Sequence, residues 1–214
     1  MKHETKQLVY ALFVPLLFVI FIWLIWILEN GFSANWYQLG IYPRSTDGLW
    51  GILISPLIHS DAKHLFNNSL PLLVLGWSLF YFYKDLGYAV FPILWLFSGI
   101  FTWLIGRDSW HIGASGLVYS LSFFLFFSGI FRKHIPLMAV SLVVVFLYGS
   151  TVWNMFPVAE IVDPTISWEG HLSGGISGLL SAYLFRKKGP QKEDPFEEDE
   201  EESGEDDEEL RIEN

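Results

Sequence analysis

The sequence predicts an all-α membrane protein, a six-transmembrane-helix bundle with a long outer loop between the first two helices. Three observations carry that expectation. Of 214 residues, 52% are hydrophobic and only 17% are charged. Six apolar runs recur at 8–28, 65–83, 86–105, 116–131, 135–156 and 171–185, near the roughly 20 residues that cross a hydrocarbon core. The net charge of −10 is confined to one end: residues 187–214 carry 14 acidic and four basic side chains, leaving nine of each in the body.

The first run holds no charge and closes on Trp23, Trp26 and Leu28. A cleaved signal would be shorter and end in small residues, so this run reads as a retained helix with an interfacial aromatic belt, bent at Pro15. Residues 29–64 mix Trp36, Tyr37, Tyr42 and Trp50 with Gly40, Pro43, Arg44 and Gly48. That mixture suits a structured element lying at the outer interface, with Arg44 anchored to headgroups or carbonyls. The next five runs are interrupted by Gly, Ser or Asn, as when helix faces pack on one another. With the N-terminus inside, ten basic residues fall in inner segments and three (Arg44, Lys63, Arg107) in outer ones, which places both ends in the cytoplasm. Two units result: a six-helix domain over 1–186 and an acidic tail over 187–214, too poor in apolar residues to fold.

Composition also excludes. The chain has no cysteine, so thiol catalysis, disulfides and Cys-ligated metals are out. Its few, scattered basic residues do not make a nucleic-acid surface. H-E-x-x-H is absent, and Asp85, Asp108 and Asp163 fall at span ends or in loops, which argues against zinc and paired-aspartate proteolysis. No metal or cofactor is expected.

On this topology the second, fourth and sixth spans run the same way. Their outer ends carry His64 with Asn68, then Gly113-Ala-Ser115-Gly116, then Gly170-His171. Polar groups inside a membrane are costly, so three at one depth call for a purpose. Ser115 opens a helix, where free N–H groups favour a developing negative charge. Gly170, Gly174, Gly178 and Ala182 make a small-residue seam that brings the sixth span close to a neighbour. A serine beside a neutral histidine is the minimal machinery for acyl transfer. His64 and Asn68, one turn apart, suit an oxyanion, and Tyr119, one turn after Ser115, suits support of the imidazole. No acidic residue is placed to orient His171, so the pair is a dyad. His111, four residues before Ser115, is the rival base.

These pieces resemble the rhomboid family of intramembrane serine proteases. The resemblance rests on Gly40-Ile-Tyr-Pro43-Arg44, His59-Ser-Asp-Ala-Lys-His64-Leu-Phe-Asn-Asn68, His111-Ile-Gly113-Ala-Ser115-Gly116 and Gly170-His171-Leu-Ser-Gly174, and spans about 8–186. It implies a water-filled site below the outer surface that cleaves transmembrane segments of other proteins in the bilayer. Ser115 would be the nucleophile and His171 the base. His64, Asn68 and the Ser115 N–H would form the oxyanion hole, with Tyr119 packing on the imidazole and Gly113 and Gly116 supporting. The fifth span, with Trp153 and Phe156 at its outer end, would be the lateral gate, and 29–64 the half-submerged loop. The short chain without targeting extensions suits a bacterial inner membrane. The tail lies outside the family pattern, and neither the substrate nor the oligomeric state is readable.

Blander readings stand beside these. Ser115 and its glycines fit helix packing taken alone, and His64 with Asn68 fit loop support. A catalytically silent rhomboid-like protein that binds transmembrane helices is the rival function, and a small transporter a second. Loss of cleavage with Ser115 separates the first reading from both.

Overall fold

The structure, a computed structural model, describes residues 3–133, 153–158 and 163–191 with a few positions between them. Residues 134–152, on which most of the expected fifth span falls, lie largely outside the described residues, as do residues 192–214 of the expected acidic tail. The described chain forms α1 (His3–Gly31), α2 (Gly51–Ile54), α3 (Ala62–Tyr83), α4 (Asp85–Ile105), α5 (Ser115–Arg132) and α6 (Trp168–Leu184). There is no strand among the described residues; one isolated bridge pairs Ile41 with His111.

Among the described residues four helices are long and apolar enough to cross a membrane: α1, α3, α4 and α5. Helix α6 has 17 residues, about 25 Å at 1.5 Å per residue. Its Gly and Ser residues make the buried face that meets other helices, while Leu179, Leu180, Tyr183 and Leu184 are exposed on the opposite one.

Helix α1 shows how composition divides between lipid and core. Ala11, Pro15, Val19 and Ile22 are buried at helical spacing, while Phe13, Leu17, Ile20 and Leu24 point outward. The expected bend does not interrupt the helix, which runs on through Pro15. The proline ring rests on Gly76 of α3, where an added Cβ would lie 2.8 Å from Pro15 Cβ. Trp23 Nε1 donates to Ser69 Oγ at 2.9 Å and Trp77 Nε1 to the Leu8 carbonyl at 3.0 Å, so α1 and α3 run antiparallel.

The connection from α1 to α3 is built, not loose. It holds α2 and 3-10 turns at Tyr37–Leu39, Thr46–Gly48 and Ser55–Leu57. Arg44 Nη1 donates to the carbonyl of Gly106 at 2.6 Å, and Nη2 pairs with Asp108. Trp50, Leu49 and Leu53 are exposed, which fits aromatic and aliphatic side chains at a membrane interface. A single left-handed residue, Lys84 (φ +47°), joins α3 to α4.

The centre of the bundle is α5 against α6, with α4 across both and α3 along α5. Leu65, Leu72, Leu75, Leu79, Leu121 and Phe124 are fully buried there. Ser115 meets His171 at one end and Arg132 meets Phe185 at the other. The two helices therefore run parallel.

Candidate active site

Ser115 is the first residue of α5. The turn before it passes through Gly113, whose φ of +100° lies in the left-handed region. A Cβ there would also sit 2.6 Å from His64 Cε1, so the position needs glycine both for backbone and for room. Two groups from the α1–α3 connection pin this turn. Gly113 N–H donates to the Ser55 carbonyl at 2.9 Å, and Ala114 N–H donates to His59 Nε2 at 3.3 Å. Burial, with His64 beside it, lowers the His59 pKa to about 3. His59 therefore stays neutral and keeps that acceptor.

His171 stands on the first turn of α6, whose N-cap is Ser167. Its Nε2 lies 2.9 Å from Ser115 Oγ, and its Nδ1 lies 2.9 Å from the Asn154 carbonyl oxygen. A carbonyl can only accept, so the neutral ring carries its proton on Nδ1 and turns the Nε2 lone pair toward the Ser115 hydroxyl. Tyr119 stacks on the imidazole, centroids 4.4 Å apart and planes 19° from parallel. The ring is thus held at its edge and on its face.

Close approach of α5 and α6 makes this contact possible. A Cβ on Gly174 would collide with the Gly116 carbonyl and come within 3.0 Å of Tyr119 Cβ. Gly116 faces Ser98 Oγ and the Gly170 carbonyl in turn. The small-residue row read from the sequence is this interface.

His64 and Asn68 lie one turn apart on α3 and border Gly113. Asp61 caps α3 by accepting the His64 N–H at 2.8 Å. His64 Nδ1 is 3.3 Å from Ser60 Oγ. The hydrogen bonds from His64 N–H and Ser60 hold the Asp61 carboxyl below its ordinary pKa. Asn68 is buried and its Nδ2 has no hydrogen-bond partner among the described residues. Such a donor costs free energy unless something else uses it. A narrow cavity lined by Ser55, Ser98, Thr102, His111 and Ser167 opens beside Ser115.

His111 is turned elsewhere. Its Nδ1 is 2.6 Å from Ser167 Oγ and its Nε2 is 3.1 Å from the Arg107 carbonyl oxygen, so both ring nitrogens are engaged away from Ser115. Burial is the main cause that lowers its pKa. Glu169, two residues before His171, is buried with its carboxylate toward Arg107, 3.7 Å from Nη1.

The structure therefore gathers Ser115, His171 and Tyr119 into one contact, sets His64, Asn68 and Gly113 at its border, and puts Gly116 in the seam beneath. Sequence reasoning missed two groups. The Asn154 carbonyl is main chain and carries no residue signature. His59 holds the turn into Ser115; its five-residue spacing from His64 is the available signal. Trp153 and Phe156, expected at a gate, are exposed with rings 6.4 Å apart.

A family model described as Rhomboid domain matches residues 46–188. An uncharacterized protein of Mycobacterium tuberculosis is 36% identical over 176 residues, covering 79% of this chain and 73% of that protein. A Bacillus subtilis protein provisionally named a rhomboid protease is 28% identical, over 73% of this chain and 75% of its own. A mouse rhomboid-related protein is 27% identical, over 66% of this chain and 49% of its own.

Proposed function

The chain belongs to the rhomboid family, and on that premise we propose that it is an intramembrane serine endopeptidase cleaving transmembrane segments of other membrane proteins. Family and four spanning-length apolar helices make it a multi-pass integral membrane protein. The observation that carries the enzymatic reading is the 2.9 Å contact between His171 Nε2 and Ser115 Oγ, with Nδ1 set against a carbonyl.

In this mechanism Ser115 Oγ attacks the substrate carbonyl carbon while His171 Nε2 takes the hydroxyl proton. Negative charge then gathers on the former carbonyl oxygen. The Ser115 N–H at the start of α5, Asn68 Nδ2 and the His64 ring receive it. Collapse of this intermediate breaks the C–N bond, and His171 returns its proton to the departing amine. Water, for which the polar cavity beside Ser115 offers space, attacks the acyl ester with His171 again as base; the bond from the acyl carbon to Ser115 Oγ then breaks, His171 returns the proton to Oγ, and the new C-terminal carboxyl leaves. The Asn154 carbonyl keeps Nδ1 protonated, the part an aspartate plays in a triad.

The domain of this activity is 1–186, with 187–214 an acidic cytoplasmic tail. Parallel α5 and α6 support a fifth crossing between them, hence six spans and both termini on one side. The basic-residue bias makes that side the cytoplasm, and the inner membrane of a bacterium is the proposed location. The 29–64 connection would lie at the outer interface, and Trp153 with Phe156 would flank substrate entry.

The test uses protein purified into liposomes with a labelled transmembrane substrate. Cleavage should vanish in Ser115→Ala and in His171→Ala and persist, reduced, in His111→Ala. Substrate binding without cleavage by the unaltered protein would favour the silent helix-binding relative instead.

A further inference from the structure

We propose that His111 is a positioning residue, which sets the separation of Ser115 from His171 by tying the turn before the serine to the cap of the helix that carries the histidine. The inference rests on the proteolytic reading above and assigns part of its machinery to a side chain outside the dyad.

His111 lies four residues before Ser115, in the segment that delivers it. Its main chain is fixed on one side: His111 N–H donates to the Ile41 carbonyl at 2.8 Å, and Ile41 N–H donates to the His111 carbonyl at 2.9 Å. Its ring is fixed on the other. The Arg107 carbonyl can only accept, so Nε2 carries the proton, and the Nδ1 lone pair takes the Ser167 hydroxyl at 2.6 Å. Ser167 in turn holds the start of α6. Its Oγ accepts Gly170 N–H at 3.2 Å, and its carbonyl accepts His171 N–H at 3.1 Å. One residue therefore separates the His111 ring from the His171 backbone.

Two features make the link firm. The His111 residue is 4% exposed, so losing the Ser167 contact leaves a buried ring nitrogen unpaired. Gly106 leaves the ring its place, since a Cβ there would lie 2.9 Å from His111 Nε2. The dyad itself tolerates little: a serine hydroxyl displaced by about 1 Å from its base loses the hydrogen bond and, with it, up to about a hundredfold in rate.

Cleavage of a transmembrane substrate in liposomes should be measured for the unaltered protein, His111→Ala, His111→Asn, His111→Gln, Ser167→Ala and the His111→Ala/Ser167→Ala pair. Thermal unfolding and the rate of Ser115 modification by a fluorophosphonate are followed alongside. We expect His111→Ala and Ser167→Ala each to lower kcat about tenfold or more with KM within about twofold. The pair should be no slower than the slower single, because both break one link. His111→Asn puts its amide oxygen where Nδ1 stands and should restore kcat to within about threefold; His111→Gln reaches the Arg107 side and should restore less. Fluorophosphonate modification, measured per folded molecule, should follow kcat. Multiplicative losses, a loss in KM alone, equal rescue by Asn and Gln, or rates that merely follow thermal stability would overturn the proposal. An unaltered protein that neither cleaves nor reacts with the fluorophosphonate would instead overturn the proteolytic reading on which it rests.

Discussion

Along one helix pair, α5 and α6, the protein carries two polar ends built on opposite terms. At the Ser115 end the polar groups are held from outside the pair, His171 by the Asn154 carbonyl and the serine turn by Ser55 and His59, while Asn68 Nδ2 has no partner among the described residues. At the other end Arg132 Nη2 donates to the carbonyls of Phe185 and Lys188, and its guanidinium lies 5.2 Å from the Tyr83 ring centroid. That end occupies the carbonyls left over where α6 stops. Arg132 Nε and Nη1 also lack a hydrogen-bond partner among the described residues, so the two ends differ not in unpaired donors but in what their polar groups face: the last carbonyls of a helix at one, a serine hydroxyl beside a cavity at the other.

Four substitutions or titrations break or sharpen that contrast. Ser115→Ala should lower cleavage by at least about 10⁴-fold while thermal unfolding stays within a few degrees; a comparable loss of stability would mean the serine serves the fold. Asn68→Ala should lower kcat by about 10²–10³ with little change in KM, read from steady-state kinetics on the same substrate. Arg132→Ala should cost about 1–3 kcal/mol by leaving carbonyls unpaired, seen in denaturant unfolding in detergent, with activity per folded molecule kept. A selective loss of activity there would erase the distinction between the ends.

The smallest effect, over the one pH unit measured, is titration of His59. Its folded pKa is about 3 and its unfolded value about 6.5. Below pH 6.5 the unfolded chain takes up a proton that the folded chain refuses. Stability should therefore fall as pH drops from about 6.5 toward 3, by up to about 1.4 kcal/mol per pH unit. Unfolding midpoints at pH 6.5 and 5.5 test it, with His59→Gln flattening the slope.

How much of this was legible beforehand follows from what each group depends on. Ser115, His171, His64 and Asn68 could be placed because polar residues at span ends stand out against an apolar background, and the glycine row predicted how α6 approaches α5. The apolar runs gave α1, α3, α4 and α5 to within a few residues. His111 could be singled out but not assigned, because spacing alone offers it the same face as Ser115 and says nothing of Ser167, 56 residues away. Pro15 lies within a continuous helix, and its seat against Gly76 was not legible, because that is a contact between residues far apart in the chain. The hydrogen bond to Asn154 was illegible because its acceptor is shared by every amino acid.

That last fact bears on how the site tolerates change over time. A side chain that orients a base can be deleted by one codon, whereas the oxygen facing His171 Nδ1 survives every replacement at position 154. Sequence drift and saturation mutagenesis at that position would therefore leave its contribution unseen. What inheritance must preserve is the path of the Trp153–Met155 turn, so the orientation of His171 is encoded in chain geometry and shared among whichever neighbours keep that turn in place.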